Sequence, residues 1–509
     1  MEYGSSFKEG IRIKMNVTVE VDLSREELLE GGQKVYGLMD ERLGRALEVQ
    51  GREVFRAMGR AVEEKLLRGS EGIRKHAKRE VTLHLKSCGK VKTTCWQVSG
   101  QDAEGKKRYF MMLKDYLGLK GSERMSPILT RDLVRAGASQ PYRGAGEREG
   151  VSHTTVWKTT QTYGSALEAM EQEALAACVG GGQEVDFLGV EPDGFWVRQQ
   201  RGNRKSMEIK GILTFRGREP RYQESEAAGA MKLTGKRMFA GIYDAETFLD
   251  LGTRDMENQY KELWKTLMLV VSDGADWIKR VREYYPKSYH QLDRLHAEQV
   301  VTRGTASCKA LRKEVREALW KKQDVNKALE QIAQEKARLE RCRGRIAKES
   351  EMERLVKKMD RAITQVKELA TYLTNHREIL FTVEQSQTFS VREKILGSGG
   401  IERNLETVFG HRMKGDGKSW TKSGAQHMIK VLCSLANGTF EQDCDVIERE
   451  RHGWVKTAEA TLAASPIKRL DTVETRYYEA FQRMIPRNTT TSTGRLLEEI
   501  VQGNALANV

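Results

Sequence analysis

Apolar residues recur at helical spacing through the first 80 residues: Leu28, Leu29, Val35, Leu38 and Met39, then Val54, Met58, Val62 and Leu66. The period changes at Val81. Val81-Thr-Leu-His-Leu-Lys and Val91-Lys-Thr-Thr-Cys-Trp alternate apolar with polar, and the stretch Val98–Lys107 leads into Arg108-Tyr-Phe-Met-Met-Leu. This predicts a small β-meander over 81–125. Helical spacing returns over 126–165. Strand-like runs then follow at Gln183–Gln199, Ser206–Phe215, Arg237–Tyr243 and Leu267–Ser272, with a helix expected over Asp255–Lys265 before the last of them. A β-β-β-α-β order within 183–275 predicts an α/β layer with a mixed sheet. Residues 276–395 read as almost wholly helical, with Lys, Arg, Glu and Ala dominating from Ala306 to Glu378. Gly397–Gly400 interrupt that pattern, a further helical region covers 396–437, and 438–509 is a helical stretch ending in a polar tail.

A chain of 509 residues has room for three or four such regions, at about 100–200 residues per domain. No run approaches the roughly 18 consecutive apolar residues of a membrane span, so no membrane partner is expected. Met1–Lys14 is mixed and charged, without the apolar stretch of a signal peptide. The cysteines number seven, an odd count that suits a reducing cytoplasm better than a disulfide framework. Cys88 and Cys95 lie close with no second pair, which favours ordinary cysteines on adjacent strands over a zinc site. Lys+Arg total 86 against 72 Asp+Glu, a net charge of +14. That excess points to a polyanionic partner, most simply nucleic acid.

Four constellations carry candidate chemistry. Tyr142–Glu149, the turn Gly150-Val-Ser and a helix from His153 to Gln161 or beyond form a candidate helix-turn-helix, with Ser152 as N-cap. Val156 and Thr160 would face inward, leaving His153, Thr154, Thr155 and Lys158 near the outer face; the alternative is an ordinary helical hairpin. Asp193 lies between two apolar runs, and Asp273 follows the strand Leu267–Ser272. Acids at neighbouring strand ends can converge on magnesium or manganese, with Asp186 and Asp276 as local rivals. Gly397-Ser-Gly-Gly-Ile-Glu-Arg-Asn is a glycine-rich turn opening a helix; it lacks the GK[ST] ending of a nucleotide loop, and Glu402 falls in the first helical turn. Arg403, His411, Arg412, Lys414, Lys418 and Lys422 follow, with Trp420 among them. This is either a face that holds a DNA backbone or a solvated helix and loop. Asp293 and His296 are three apart in Leu292-Asp-Arg-Leu-His, where a structural polar pair is the simpler reading.

In order, these strings resemble a bacterial DDE transposase of the ISLre insertion-sequence type, a group long catalogued as an uncharacterised protein family; the ISKra type shares the later strings. The similarity rests on Lys107-Arg-Tyr-Phe-Met-Met-Leu-Lys-Asp-Tyr-Leu-Gly-Leu, Arg124-Met-Ser-Pro, Tyr142–Trp157, Pro192-Asp-Gly-Phe-Trp-Val, Ser272-Asp-Gly-Ala-Asp-Trp-Ile-Lys, Leu292-Asp-Arg-Leu-His, Gly397-Ser-Gly-Gly-Ile-Glu and Arg412-Met-Lys-Gly-Asp-Gly-Lys-Ser-Trp, ending in Ser423-Gly-Ala. The resemblance implies an α/β fold: an RNase H-like catalytic domain over 183–275 and 396–437, interrupted by an all-α insertion at 276–395. An N-terminal helical region at 1–80 and a helix-turn-helix DNA-binding domain at 126–165 would precede it. It further implies an acidic triad of Asp193, Asp273 and Glu402, two Mg2+ or Mn2+ ions, and a supporting role for His296. Element-end and target double-stranded DNA would be the partners, with homodimeric assembly and a cytoplasmic, nucleoid-associated location in bacteria. Lys430 stands where relatives often place an Arg, a departure at a peripheral contact. A non-catalytic DNA-binding regulator and an RNase H-like nuclease without strand transfer are the alternatives. The basic cluster Arg341, Arg343, Arg345 and Lys348 in the insertion is expected either to grip DNA or a second protomer, or to be a solvated helix face.

Overall fold

A computed structural model describes Ser24 and residues 32–452, apart from 70–72, 102–105, 118, 120–122, 178–179, 181, 203–204, 221–230, 286–287, 347–351 and 386–399. The chain divides into two compact units. Of the described residues, the first takes those up to Glu168 together with Gly438–His452, and the second takes Ala169–Asn437.

In the first unit a long helix α1 (Gly32–Gly69) precedes a three-stranded antiparallel sheet of β1 (Arg74–Leu85), β2 (Gly89–Gln101) and β3 (Lys107–Met111), in the order β1-β2-β3. Leu66 of α1 packs on Val98, Phe110 and Met112. The meander begins earlier than the alternation at Val81 predicts. Arg74–Glu80 is almost entirely polar and exposed, so it offers no buried face for a period-2 pattern to mark. Cys88 and Cys95 are buried free thiols. The Cys95 thiol accepts from Leu113 N at 3.2 Å, and burial pushes it up to about 12.

A short helix α2 (Met112–Tyr116) leads to α3 (Pro127–Ser139), α4 (Tyr142–Arg148) and α5 (His153–Ala177). Leu129, Leu133, Ala136, Ala145 and Val156 form the core of α3–α5. The α4–α5 turn needs its glycines. Gly150 has φ +63, and a Cβ on Gly146 would lie 2.6 Å from the Val151 carbonyl oxygen. The helix Phe440–His452 joins this unit through buried Glu448, which accepts from Arg131 Nε and the Tyr163 hydroxyl, both at 2.9 Å.

The second unit is built on a five-stranded sheet of β4 (Phe187–Arg198), β5 (Ser206–Phe215), β6 (Arg237–Gly241), β7 (Leu267–Ser272) and β8 (Tyr289–Leu292), in the order β8-β7-β4-β5-β6. β4, β5 and β6 are antiparallel neighbours; β7 runs parallel to β4, and β8 parallel to β7. One face carries Leu188, Val190, Ile212, Met268 and Val270 against α6 (Ala245–Gln259). The opposite face carries Phe187, Phe215, Leu269 and Val271. Helix α6 lies ten residues before the expected Asp255–Lys265, because the Asp244 side chain accepts from Thr247 N at 2.9 Å and caps the helix there.

The region 276–395 is not wholly helical. After two single-turn helices, Asp276–Lys279 and Val281–Tyr284, it supplies β8, whose four residues are too few to display a strand period. The helices α7 (Arg294–Gly304), α8 (Lys309–Arg316), α9 (Val325–Ile346) and α10 (Glu353–Asn375) then pack around Val301, Leu311, Ile332, Val366 and Leu369. Arg343 of α9 pairs with Asp360 of α10 at 2.8 Å, while Arg341 and Arg345 are exposed; Lys348 lies outside the described residues. No helix among the described residues is long and apolar enough to cross a membrane.

Helix α11 (Gly400–Leu405) leads through a π-helical turn, Glu406–Gly410, toward α12 (Lys422–Asn437). Lys430 of α12 is not peripheral. It is 3% exposed, lies 5.0 Å from the Phe239 ring centroid, and donates to Ala240 O at 2.9 Å and to the Glu171 carboxylate. A buried cation of this kind ties α12 to β6 and to the helix that enters the unit. Lys430→Ala leaves Glu171 without its counter-charge and should cost about 3–5 kcal/mol in urea unfolding. The double replacement Lys430→Met, Glu171→Leu should recover most of that loss.

Candidate acidic site on the parallel strands

The strand register decides where the acidic residues meet. Every pair of the β7–β4 ladder, from Leu267↔Phe187 to Val270↔Val190, differs by 80 in number, and so do Asp273 and Asp193. Every pair of the β7–β8 ladder, from Leu269↔Tyr289 to Ser272↔Leu292, differs by 20, and so do Asp293 and Asp273. Asp293 N donates to Ser272 O at 2.7 Å, which carries the second ladder one residue further. Continued past their last pairs, these registers bring Asp193 in β4 to the same level as Asp273 and Asp293, which lie one residue beyond β7 and β8. Asp193 and Asp273 are half-buried and Asp293 is buried. Glu191, fully buried, lies one pleat before Asp193 on the same face of β4.

Each aspartate uses one oxygen to fix its own backbone. Gly194 N donates to Asp193 Oδ1 at 2.7 Å, Ala275 N to Asp273 Oδ1 at 2.9 Å, and Leu295 N to Asp293 Oδ1 at 2.7 Å, the last as the N-cap of α7. His296, one turn into α7, brings Nδ1 to 3.4 Å from Asp293 Oδ2. The adjoining Asp293 carboxylate raises its pKa above 6.5, against the opposing effect of burial, and the charges of Asp193 and Asp273 add to the rise. The charge of each of the three carboxylates thus reaches this imidazole.

The helical insertion returns to the same place. Near the end of α10, His376 sets its ring nitrogens 2.8 Å from Tyr372 O and 3.2 Å from Gly274 O. Gly274 follows Asp273 at φ +85, and a Cβ there would stand 2.4 Å from the His376 ring. Burial raises the Tyr372 phenol pKa, and the charges of Asp273 and Asp293 raise it further. The insertion therefore forms one wall of the acidic site and holds the turn that carries Asp273.

Glu402 lies on α11, and its side chain is outside what the structure describes. The helix itself is placed by its neighbours. It packs on β4 and β5. A Cβ on Gly211 would meet Leu405 at 2.9 Å, and Gly211 is the cross-strand partner of Asp193, so α11 covers the face on which Asp193 stands. Phe409 stacks on Phe195 at 5.5 Å, two residues beyond Asp193 on that face. Among the described residues no group of three or more His, Cys, Asp or Glu side chains forms a ready metal-ligand set.

The expected basic face around Trp420 is divided. Arg412 and Trp420 are buried, with the guanidinium 5.0 Å from the ring centroid and the indole N–H donating to Met413 O at 3.0 Å. Trp420 also extends the edge of β4, donating from its N to Arg198 O at 3.0 Å, so its role is to anchor the segment behind α11. Lys418 turns inward to His411 O and Lys414 O, at 3.3 and 3.2 Å. Lys414 is half-buried above Phe195 and pairs with Glu406 at 3.3 Å. The physical reason is the tight Gly415–Gly417 turn, both glycines at positive φ, which folds the basic run back on itself.

In the other unit, α5 presents His153, Thr154 and Lys158 to solvent and Thr155 partly so, while Val156 and Thr160 are fully buried. Ser152 caps the helix, accepting from Thr155 N at 3.1 Å. Trp157, 46% exposed beside Lys158, is a surface aromatic that helical periodicity could have flagged. Tyr372 and His376, and the place of Asp293 beside the other two aspartates, have no local sequence signal, since they depend on β8 and on the return of α10.

Residues 39–450 match the uncharacterised protein family UPF0236, and the chain belongs to that family. It is 24% identical over 434 residues to a UPF0236 protein of Caldanaerobacter subterraneus subsp. tengcongensis, covering 83% of this chain and 82% of the relative. That relative's name joins eleven locus labels. It is also 23% identical over 359 residues to a UPF0236 protein of Streptococcus gallolyticus named for the vanSb 3' region, covering 66% of this chain and 69% of that one.

The His296 imidazole should titrate above 6.5 by NMR, and Asp293→Asn should lower the midpoint. Because the folded pKa exceeds the unfolded one, this pairing stabilises fully below about 6.5, and the contribution is lost as pH rises through the folded midpoint. His376→Ala should speed amide exchange at Gly274 and Ala275 without changing the protein's secondary structure.

Proposed function

We propose that this protein is the DDE transposase of an insertion sequence, binding the element's ends and catalysing metal-dependent cleavage and strand transfer. The observation that carries the reading is the alignment of Asp193 and Asp273 at one level of adjacent parallel strands, beneath the helix that bears Glu402. The order β8-β7-β4-β5-β6, with three antiparallel strands followed by two parallel ones, is the arrangement expected of an RNase H-like sheet. The many loci joined in one relative's name suit a mobile element.

Asp193, Asp273 and Glu402 would hold two divalent cations, and carboxylate oxygens are the donors such hard ions prefer. When bound, these ions supply activation of a water or a DNA 3′-hydroxyl and stabilise the departing 3′-oxygen. The chain's own residues do the rest. Gly194 N and Ala275 N orient the two aspartates, Asp293 orients His296, and the imidazolium offsets part of the carboxylate repulsion. His376 keeps the Asp273 turn in position. In α5, His153, Thr154 and Thr155 would meet base edges and Lys158 a phosphate, as in a helix-turn-helix. The exposed Arg341 and Arg345 of the insertion would contact DNA or a second protomer, so that two sites act on two ends.

Asp193→Asn, Asp273→Asn and Glu402→Gln should each lower manganese-dependent nicking of labelled element-end duplex by roughly 1,000-fold or more, with end binding retained. His296→Ala should cost about 10–100-fold. Wild-type protein that nicks nothing, or variants that nick normally, would remove the catalytic reading and leave a DNA-binding regulator. Cleavage without joining of a pre-cut end would instead mark a nuclease.

Lys158→Ala should weaken duplex binding across sequences and reduce its salt slope by about 1, whereas Thr154→Ala should change sequence preference. Fluorescence anisotropy over a salt series measures both.

A further inference from the structure

The three-stranded sheet of the first unit is left unexplained by the catalytic reading, and its charge is concentrated at one end. β1 opens with Arg74-Lys-His-Ala-Lys-Arg, and β3 opens beside it with Lys107-Arg-Tyr. These segments flank the last residues of β2, since Arg74 pairs with Ser99 and Ser99 with Tyr109. Arg74, Lys75, Lys78, Arg79 and Lys107 are exposed, and among the described residues none has a carboxylate partner. The neighbouring Arg108 and Lys92 do, pairing with Asp115 at 2.7 Å and Glu80 at 3.4 Å.

A bulge organises the unpaired cations. The β1–β2 register runs Lys75↔Val98 and then Ala77↔Gln97, so His76 is the extra residue. Without it, Lys75 and Lys78 would point to opposite faces. With it they share the face of Trp96, and their ammonium groups stand 5.6 and 5.3 Å from its ring centroid. On the other face Lys107 lies 5.1 Å from the Tyr109 ring, whose edge is shared with the His76 ring at 5.2 Å. The ammonium groups are thus steered by rings while their charge remains uncompensated. Lysines on an edge strand also deter strand pairing, but that task needs neither the bulge nor the rings.

We infer that this end of the sheet is a second DNA-binding surface, which engages the phosphate backbone of duplex DNA independently of sequence. Cations on both faces of this end of the sheet suit the phosphate rows that border a duplex groove. Single-stranded binding relies on open aromatic platforms for base stacking. Here Trp96 is half-buried beneath Lys75 and Lys78, and of the two rings only Tyr109, 55% exposed beside Lys107 and His76, is open, too little for a stacking platform, which favours duplex over single strand. The inference does not depend on any catalytic activity.

The test uses the full chain and a fluorescein-labelled random-sequence duplex, with anisotropy followed over a KCl series. The variant Lys75→Ala, Lys78→Ala, Lys107→Ala should reduce the slope of log K against log salt by about 2 to 3, near 0.9 per phosphate contact. Lys75→Arg, Lys78→Arg, Lys107→Arg should keep the wild-type slope. Lys261→Ala, Lys309→Ala, Lys327→Ala removes the same charge at exposed positions elsewhere and should leave the slope within about 0.5 of wild type. An unchanged slope in the sheet variant, or an equal drop in the second lysine-to-alanine variant, overturns the inference. So does a drop confined to single-stranded DNA, or one seen only with vesicles of anionic phospholipid.

Discussion

The parallel register of β7 against β4 and β8 is the constraint on which the candidate site depends. Parallel strands keep a fixed offset along their ladder, so one pairing sets the level of every later residue. Here that rule brings three carboxylates to one height across three strands, although they belong to segments far apart in the chain. Bare carboxylates brought to one level repel one another. The fold offsets this with backbone donors at each aspartate and with a histidine whose charged form the cluster favours. The residual negative charge is the property a cation site needs.

The helical insertion is better described as part of that site than as a block interposed in it. Its last long helix returns His376 to the Gly274 carbonyl, and the ring occupies the space where any other side chain at 274 would stand. A similar economy holds behind α11. The buried Arg412–Trp420 pair and the strand-like link from Trp420 to β4 fasten the segment that follows the acidic helix to the strand that carries Asp193. Residues that looked like ligands for DNA are spent on holding the site's roof.

Basic residues therefore divide by environment. Arg131 is bound to the buried Glu448 and Lys430 to the partly buried Glu171, Arg343 bridges a helical hairpin, and Lys418 satisfies backbone carbonyls. Those on β1 and the outer face of α5 remain exposed. The net charge of +14 is thus a poor guide to where a polyanion binds, because it does not distinguish cations that serve internal carboxylates and carbonyls from those that face solvent.

By itself the sequence determined the local elements with strong periods or caps. The strands holding Asp193 and Asp273 alternate or run apolar, Ser152 caps α5, and Val156 and Thr160 mark its inner face. Those features arise from interactions within a few residues, so they can be read along the chain. Only the tertiary structure decided which acids share a level, that Asp293 stands with Asp193 and Asp273, that Lys430 is buried, and that Trp420 faces inward. Each of those outcomes depends on a partner tens or hundreds of residues away, supplied by strand pairing or helix packing. A short strand such as β8 carries too few residues to announce itself, yet its register with β7 sets the position of Asp293.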